Sequence, residues 1–166
     1  MCKESMTKDV LLRHAKQLQQ PGPEAAAEFD SAKTGLAEEV SNIMDSHPRR
    51  SDCYPDALRE LMRTNHVNHF EFMSSVFQLY DPQVLTETVG WVLQTYMARG
   101  VQLEYWRVML RESLQLFERR LRRETYGEIE PFYRWMLDHL DDFAALPKDS
   151  DFWTLHSGTP GDAHGG

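Results

Sequence analysis

Residues 81–100, DPQVLTETVGWVLQTYMARG, decide the fold class because they mark one helix at both of its ends. Asp81 is a favoured N-cap residue, and Pro82 suits the first helical turn, where the N–H that proline lacks would have no partner. Gly100 is typical of the residue that follows a helix C-terminus. Apolar side chains recur between these ends at helical spacing: Leu85, Val89, Val92 and Tyr96. We therefore predict a central α-helix over residues 82–98.

The same pattern extends in both directions along the chain. Apolar residues at helical spacing, separated by proline or glycine breakers, predict further helices over residues 5–20, 24–45, 55–79, 103–123 and 130–145. No segment shows the two-residue alternation that is typical of a half-buried β-strand. We expect an all-α protein with about six helices in a single helical domain, residues 1–146. Its architecture is a bundle or is globin-like, with core helices in residues 55–145 and two N-terminal helices against them.

Composition excludes several classes of function. The chain has 166 residues, 41% of them apolar, which suits one domain with a core. Its formal net charge of −8 argues against a nucleic-acid partner and against binding to anionic lipid. Two cysteines make no disulfide framework, and no apolar run approaches the length of a membrane span. We expect a cytoplasmic protein.

The C-terminal segment differs in composition from the rest of the chain. Residues 147–166 are rich in glycine, proline, serine and aspartate, which predicts a flexible tail. The tail holds one apolar patch, formed by Phe152, Trp153 and Leu155. We expect this patch to dock, either back onto the helical domain or into a partner, because three such side chains gain free energy when they leave water.

Two histidines form the best candidate for a metal site. His66 and His69 are three residues apart and therefore share a helix face, and Glu87 is a carboxylate that a neighbouring helix could supply. The chain contains no Glu-x-x-His motif of the di-iron bundle type. In the simpler interpretation, His66 is exposed and His69 is a buried histidine that bonds to Tyr96 or Asn65. We expect His69 to be buried in either case, because it continues an apolar stripe.

A haem pocket is a second candidate site. Such a pocket needs an axial histidine on an apolar helix face and aromatic side chains around the ring. His69 and His139 each meet the first condition, and the chain has eight phenylalanines, four tryptophans and six tyrosines. The chain has no Cys-x-x-Cys-His motif, so a haem would be bound non-covalently. The alternative is that these aromatic residues fill the core.

Signatures of an enzyme are missing from the sequence. There is no glycine-rich phosphate loop and no Gly-x-Ser-x-Gly elbow. Cys53 follows Arg49 and Arg50, and adjacent cations are expected to lower the pKa of a thiol, but no histidine–asparagine pattern accompanies it. We therefore expect no catalytic residues, no enzymatic activity and no cofactor.

Charge is spread unevenly over the second half of the chain. Residues 107–123 contain six arginines and two glutamates, whereas residues 138–151 contain five aspartates and one lysine. Either the two segments pack together and neutralise each other, or the basic segment binds an acidic protein partner. The candidate partner-binding residues are Arg119, Arg120, Arg122 and Arg123.

Four short motifs carry a resemblance to a known class of protein. These are HFEFM at residues 69–73, DP at 81–82, VGW at 89–91 and ARGV at 98–101. Together they resemble helical, globin-like sensor and regulatory modules of bacterial signalling proteins, of the kind that can precede a cobalamin-binding domain. The resemblance covers residues 55–125. It implies a globin-like fold that serves in sensing or in protein–protein regulation.

These observations predict a non-enzymatic regulatory or sensor module. We expect it to act through helix-face contacts with a protein partner or with a second copy of itself as a homo-oligomer. The alternative function is a haem- or metal-binding sensor that uses His69, with His66 or His139 assisting.

Overall fold

The predicted all-α class is confirmed within residues 7–147, the part of the chain that the structure, a computed structural model, describes. These residues form eight α-helices and no β-strand, and a 3-10 turn precedes the fourth helix. The helices are α1 (Lys8–Ala15), α2 (Pro23–Asp45), α3 (Arg50–Cys53), α4 (Arg59–Gln78), α5 (Pro82–Met97), α6 (Leu103–Arg120), α7 (Arg123–Asp138) and α8 (Leu140–Ala144). Six of them have eight residues or more, so the expected number of helices is confirmed for the longer elements.

Both predicted ends of α5 are present. The Asp81 carboxylate accepts hydrogen bonds from the backbone N–H groups of Gln83 at 2.9 Å and Val84 at 3.3 Å, and Pro82 is the first helical residue. At the other end Gly100 has a φ of 101°, the left-handed conformation that favours glycine. Local side-chain chemistry therefore sets the length of this helix.

Replacing Gly100 by alanine is expected to lower the free energy of unfolding by about 1 kcal/mol. A Cβ at Gly100 would meet no atom within 4 Å, so the loss comes from the backbone conformation alone. Gly35 is the matched control, because it lies inside α2 and also has open space around it. Gly35→Ala is expected to stabilise the protein by about 0.5–1 kcal/mol. Thermal unfolding of both variants checks the pair, and a stabilising Gly100→Ala would contradict the assignment.

The predicted helix over residues 130–145 is wrong in both of its bounds. Helix α7 begins at Arg123 and ends at Asp138, and a separate short helix follows. Pro131 lies inside α7 on its exposed side. The break comes earlier, at residues 121–122, where both residues are extended and the Arg122 N–H donates to the Glu28 carboxylate at 3.2 Å.

Two other segments depart from the prediction at their ends. The first helix stops at Ala15 instead of residue 20. Between the predicted helices over residues 24–45 and 55–79, the structure has the short helix α3, which buries Cys53 against the body of the protein. Short helices of this kind lack the repeated apolar spacing from which helices are predicted.

The core forms where α2, α4 and α6 meet. Helix α2 packs most extensively on α4, and α6 contacts α2, α3, α5, α7 and α8. Phe29 of α2 is fully buried and meets three rings edge-on or nearly so: Phe70 at 6.0 Å, Phe77 at 4.9 Å and Phe117 at 5.6 Å. Edge-to-face packing of this kind is favourable beyond the apolar area that it buries. Among the described helices, none is long and apolar enough to cross a membrane.

Candidate ligand pocket

A pocket of about 360 Å³ lies between α4 and α5, with α6 beneath it. Its walls are mainly apolar, and α7 and α8 close one side through Met136 and Leu140. The other apolar lining residues that matter here are Phe72, Met73, Val89, Val92, Trp106 and Leu110.

The pocket exists because two consecutive helices diverge. Helix α5 makes its main helix contacts with α1 and α8 and fewer with α6, whereas α4 packs mainly on α2. The face of α5 that carries Val89 and Val92 is therefore only half-buried, although its apolar spacing resembles that of a core helix. Leu85 and Leu93, one turn before and after Val89, are buried, and Leu93 also lines the pocket.

The polar side chains of the pocket are mainly amides and hydroxyls, which can both donate and accept hydrogen bonds, and only Arg99 and the two tryptophans are donors alone. Asn68 and Arg99 are exposed, and Thr88 and Thr95 are half-buried. No aspartate or glutamate is among the residues that line it. Trp106 is only 4% exposed, and its Nε1–H has no acceptor among the described residues.

His69 lines this pocket but does not bond to the expected partners. Its Nε2 lies 2.9 Å from the hydroxyl of Tyr133 on α7, so the prediction of Tyr96 or Asn65 is wrong. Asn65 instead donates to the hydroxyl of Tyr105 at 3.1 Å. Burial, with a smaller contribution from His66, lowers the pKa of His69 to about 3. The ring is neutral at physiological pH, and its Nδ1 has no partner within residues 7–147.

The expected exposure of His66 is wrong, because this side chain is 1% exposed whereas His69 is half-buried. Helix α2 lies across the face of α4 that carries His66, and Ser41 of α2 is 2.8 Å from His66 Nδ1. The ring also stacks on Tyr105, with centroids 6.0 Å apart. Burial lowers the pKa of His66 to about 4.

The structure does not bring the predicted metal ligands together. His66 contacts α2 and His69 contacts α7, so their rings meet different neighbours despite sharing a helix. Glu87 is buried against α1, where it accepts from Lys8 Nζ at 2.6 Å. Within residues 7–147, no group of three or more histidine, cysteine or acidic side chains has the geometry to hold a metal ion. The metal site stays a prediction.

His139 lies away from the pocket, in a polar cluster with α1. Its Nε2 is 3.3 Å from His14 Nδ1, and its Nδ1 is 2.9 Å from an Asp142 carboxylate oxygen. Both ring nitrogens are thus engaged, and the ring is not among those that line the pocket with His69. Of the two histidines proposed as haem ligands, only His69 lines the pocket.

The pKa of Cys53 is raised, because burial outweighs the effect of the adjacent arginines. The thiol is fully buried, and burial, together with the negative charge of Glu104, raises its pKa to about 11. The cations at Arg49 and Arg50 act in the opposite direction but with less effect. Cys53 is therefore a core residue with an unreactive, protonated thiol.

The candidate partner-binding arginines divide into two groups. Arg120 pairs with Glu39 at 2.5 Å and Arg122 with Glu28 at 3.4 Å, so helix α2 neutralises much of the basic segment. Arg119 and Arg123 are exposed and make no ion pair with the described residues. The predicted neutralisation by residues 138–151 is limited, among described residues, to a contact of 3.5 Å between Arg107 and Asp141. The apolar patch of Phe152, Trp153 and Leu155 lies outside the described residues.

Comparison of the chain with protein-family models, with curated proteins and with solved structures finds no match.

Proposed function

We propose that this protein is a non-enzymatic regulatory module that responds to a small ligand with a largely apolar body, and that the pocket between α4 and α5 is the binding site. The observation that carries the proposal is the pocket itself. Its volume of about 360 Å³ lies within the range of small-molecule sites, and its lining is mainly apolar with a few polar groups.

The chemistry of the lining favours binding over catalysis. His69 is the one histidine among the lining residues, which include no carboxylate. Its pKa of about 3 keeps the ring neutral at physiological pH. A general base is most effective when its pKa lies near the working pH, and an activated nucleophile needs such a base beside it. The lining includes no cysteine, serine or carboxylate to act with this histidine.

Helix α5 is the element through which occupancy of the pocket would reach the rest of the molecule. Glu87 ties its first half to α1 through Lys8. Gln94, on the opposite side of the helix from the pocket lining, donates to the carbonyls of Phe143 at 3.2 Å and Leu146 at 3.1 Å. A shift of α5 away from α4 would therefore move α1 and the end of α8. We propose that a protein partner or a second copy of the chain recognises this change.

Binding of phenylnaphthylamine, a neutral dye that fluoresces in apolar sites, tests the proposal. We expect saturable binding to the folded full chain and its loss in Val92→Trp, because Val92 lines the pocket and an indole would fill it. Val84→Trp is the matched control, since Val84 is on the same helix, 46% exposed and outside the lining. Equal binding by the two variants, with equal melting temperatures, would contradict the proposed site.

A haem-binding sensor is the second candidate function, and one observation favours it: His69 lines a pocket that also contains Trp91, Tyr96 and Trp106. An iron bound through His69 Nε2 would replace the contact with Tyr133, whereas one bound through Nδ1 would leave that contact in place. The absorption spectrum and metal content of the purified protein distinguish this candidate from the first.

A further inference from the structure

The side chains that line the pocket indicate which chemical class of ligand fits it. We infer that the pocket takes a small aromatic monoanion, that is, a compound with a flat aromatic body and a single carboxylate or similar acidic group. This inference rests on the proposed function and deepens it. Two features carry it, the aromatic content of the walls and the sign of the charge at the mouth.

Aromatic side chains line the pocket on more than one helix. Phe72 belongs to α4, Trp91 and Tyr96 to α5, and Trp106 to α6. Tyr96 and Trp106 already meet edge-to-face, with ring centroids 6.1 Å apart and planes at 80°. A flat aromatic ligand would extend this arrangement by stacking or edge contacts, which a flexible alkyl chain cannot make.

The charge at the pocket is positive although the protein as a whole is acidic. Arg99 is the one charged side chain among the described lining residues, and no carboxylate accompanies it. It follows the last turn of α5, is exposed and makes no ion pair with the described residues. A cationic ligand would find no counter-charge here, whereas an anion would gain a guanidinium partner of the kind that binds carboxylates.

Tyr96 links the aromatic walls to this charge. Its ring contacts Trp106, and its phenol is close enough to Arg99 for the guanidinium to act against the rise in the Tyr96 pKa that burial produces. An aromatic body beside Trp106 would therefore place an acidic substituent towards Arg99. The unpartnered N–H of Trp106, enclosed in the wall, is a further donor for an acceptor on the ligand.

The inference is tested by displacement of phenylnaphthylamine from the full chain by three compounds with one aromatic body: naphthylacetate, naphthylethanol and naphthylethylamine. We expect the acid to displace the dye at a concentration about tenfold lower than the amine does, because a charged hydrogen bond is gained in one case and charge repulsion in the other. Decanoate, an acid with an alkyl body, is expected to displace it less well than naphthylacetate.

Two arginine variants locate the effect. Arg99→Gln is expected to remove the advantage of the acid over the alcohol. Arg111→Gln is the control, because Arg111 is exposed on α6 and lies outside the lining. It should leave the order of the three compounds as it is.

The other possible results of these experiments contradict either the inferred ligand chemistry or the proposed function. If the alcohol or the amine displaces the dye as well as the acid, or if Arg99→Gln keeps the advantage of the acid, the preference for an anion is wrong and the binding site stands. If decanoate equals naphthylacetate, the aromatic part of the inference is wrong. If the dye does not bind the folded chain at all, the proposed function itself is wrong.

Discussion

Replacing Phe29 by alanine is expected to lower the free energy of unfolding by about 3–5 kcal/mol. Phe29 is fully buried at the point where α2, α4 and α6 meet, and its ring contacts Phe70, Phe77 and Phe117. Removal of the ring loses its transfer free energy and leaves a cavity that three rings on two other helices border. Because those rings are held by their own helices, the cavity cannot close without moving backbone.

Urea unfolding of Phe29→Ala and Leu79→Ala measures this effect against a matched control. Leu79 is 80% exposed, so its truncation is expected to change stability by no more than about 0.5 kcal/mol. A loss below about 1 kcal/mol in Phe29→Ala, or equal losses in the two variants, would mean that α2 does not pack on α4 and α6 in this way.

Acidification is expected to destabilise the protein through His66 and His69. The pKa of His66 is lowered to about 4 and that of His69 to about 3, whereas an unfolded histidine titrates near 6.5. Between these pH values the unfolded state therefore binds more protons than the folded state does. The stabilising contribution is present above the unfolded-state pKa and is lost as the pH falls towards about 4 for His66 and about 3 for His69. By linkage, each histidine is expected to cost about 2 kcal/mol of stability between pH 7 and pH 5.

Removing the titrating rings tests this account. In His66→Asn the amide stands near the position of Nδ1 and can still meet Ser41, and in His69→Gln it reaches the position of Nε2 beside Tyr133. Urea unfolding of the double variant at pH 7 and pH 5 should show a much smaller loss between the two pH values than the parent chain does. An unchanged loss would place the responsible groups elsewhere.

Prediction from the sequence succeeded where the chemistry is local. Asp81 caps α5 and Gly100 ends it in the left-handed conformation, because a cap and a positive φ depend on a few adjacent residues. Sequence-based prediction failed at residues 121–122. There the chain is extended, and the Arg122 N–H donates a hydrogen bond to the carboxylate of Glu28, on a helix distant in sequence. Nothing in the neighbouring residues indicates that partner.

The histidines show the same limit inside the candidate site. Helical spacing placed His66 and His69 on one helix and near the apolar stripe. A pattern within one helix does not show which other helix covers each side chain. Their exposure was predicted wrongly because α4 is covered from two sides, by α2 at His66 and by α7 at His69. A histidine in line with an apolar stripe is expected to be buried. Which of two nearby histidines is the more buried depends on the helix that packs over each of them.

The sequence by itself determined the all-α class, both ends of α5 and the absence of familiar catalytic motifs, because these follow from spacing and from contacts within a few residues. Only the tertiary structure decided that α5 leans towards α1 and α8 and leaves a pocket beside α4. It also decided that Cys53 is buried with a raised pKa although arginines precede it. The physical reason is the same in each case: burial depends on which distant helix covers a side chain, and long-range packing is set by the sum of many apolar contacts.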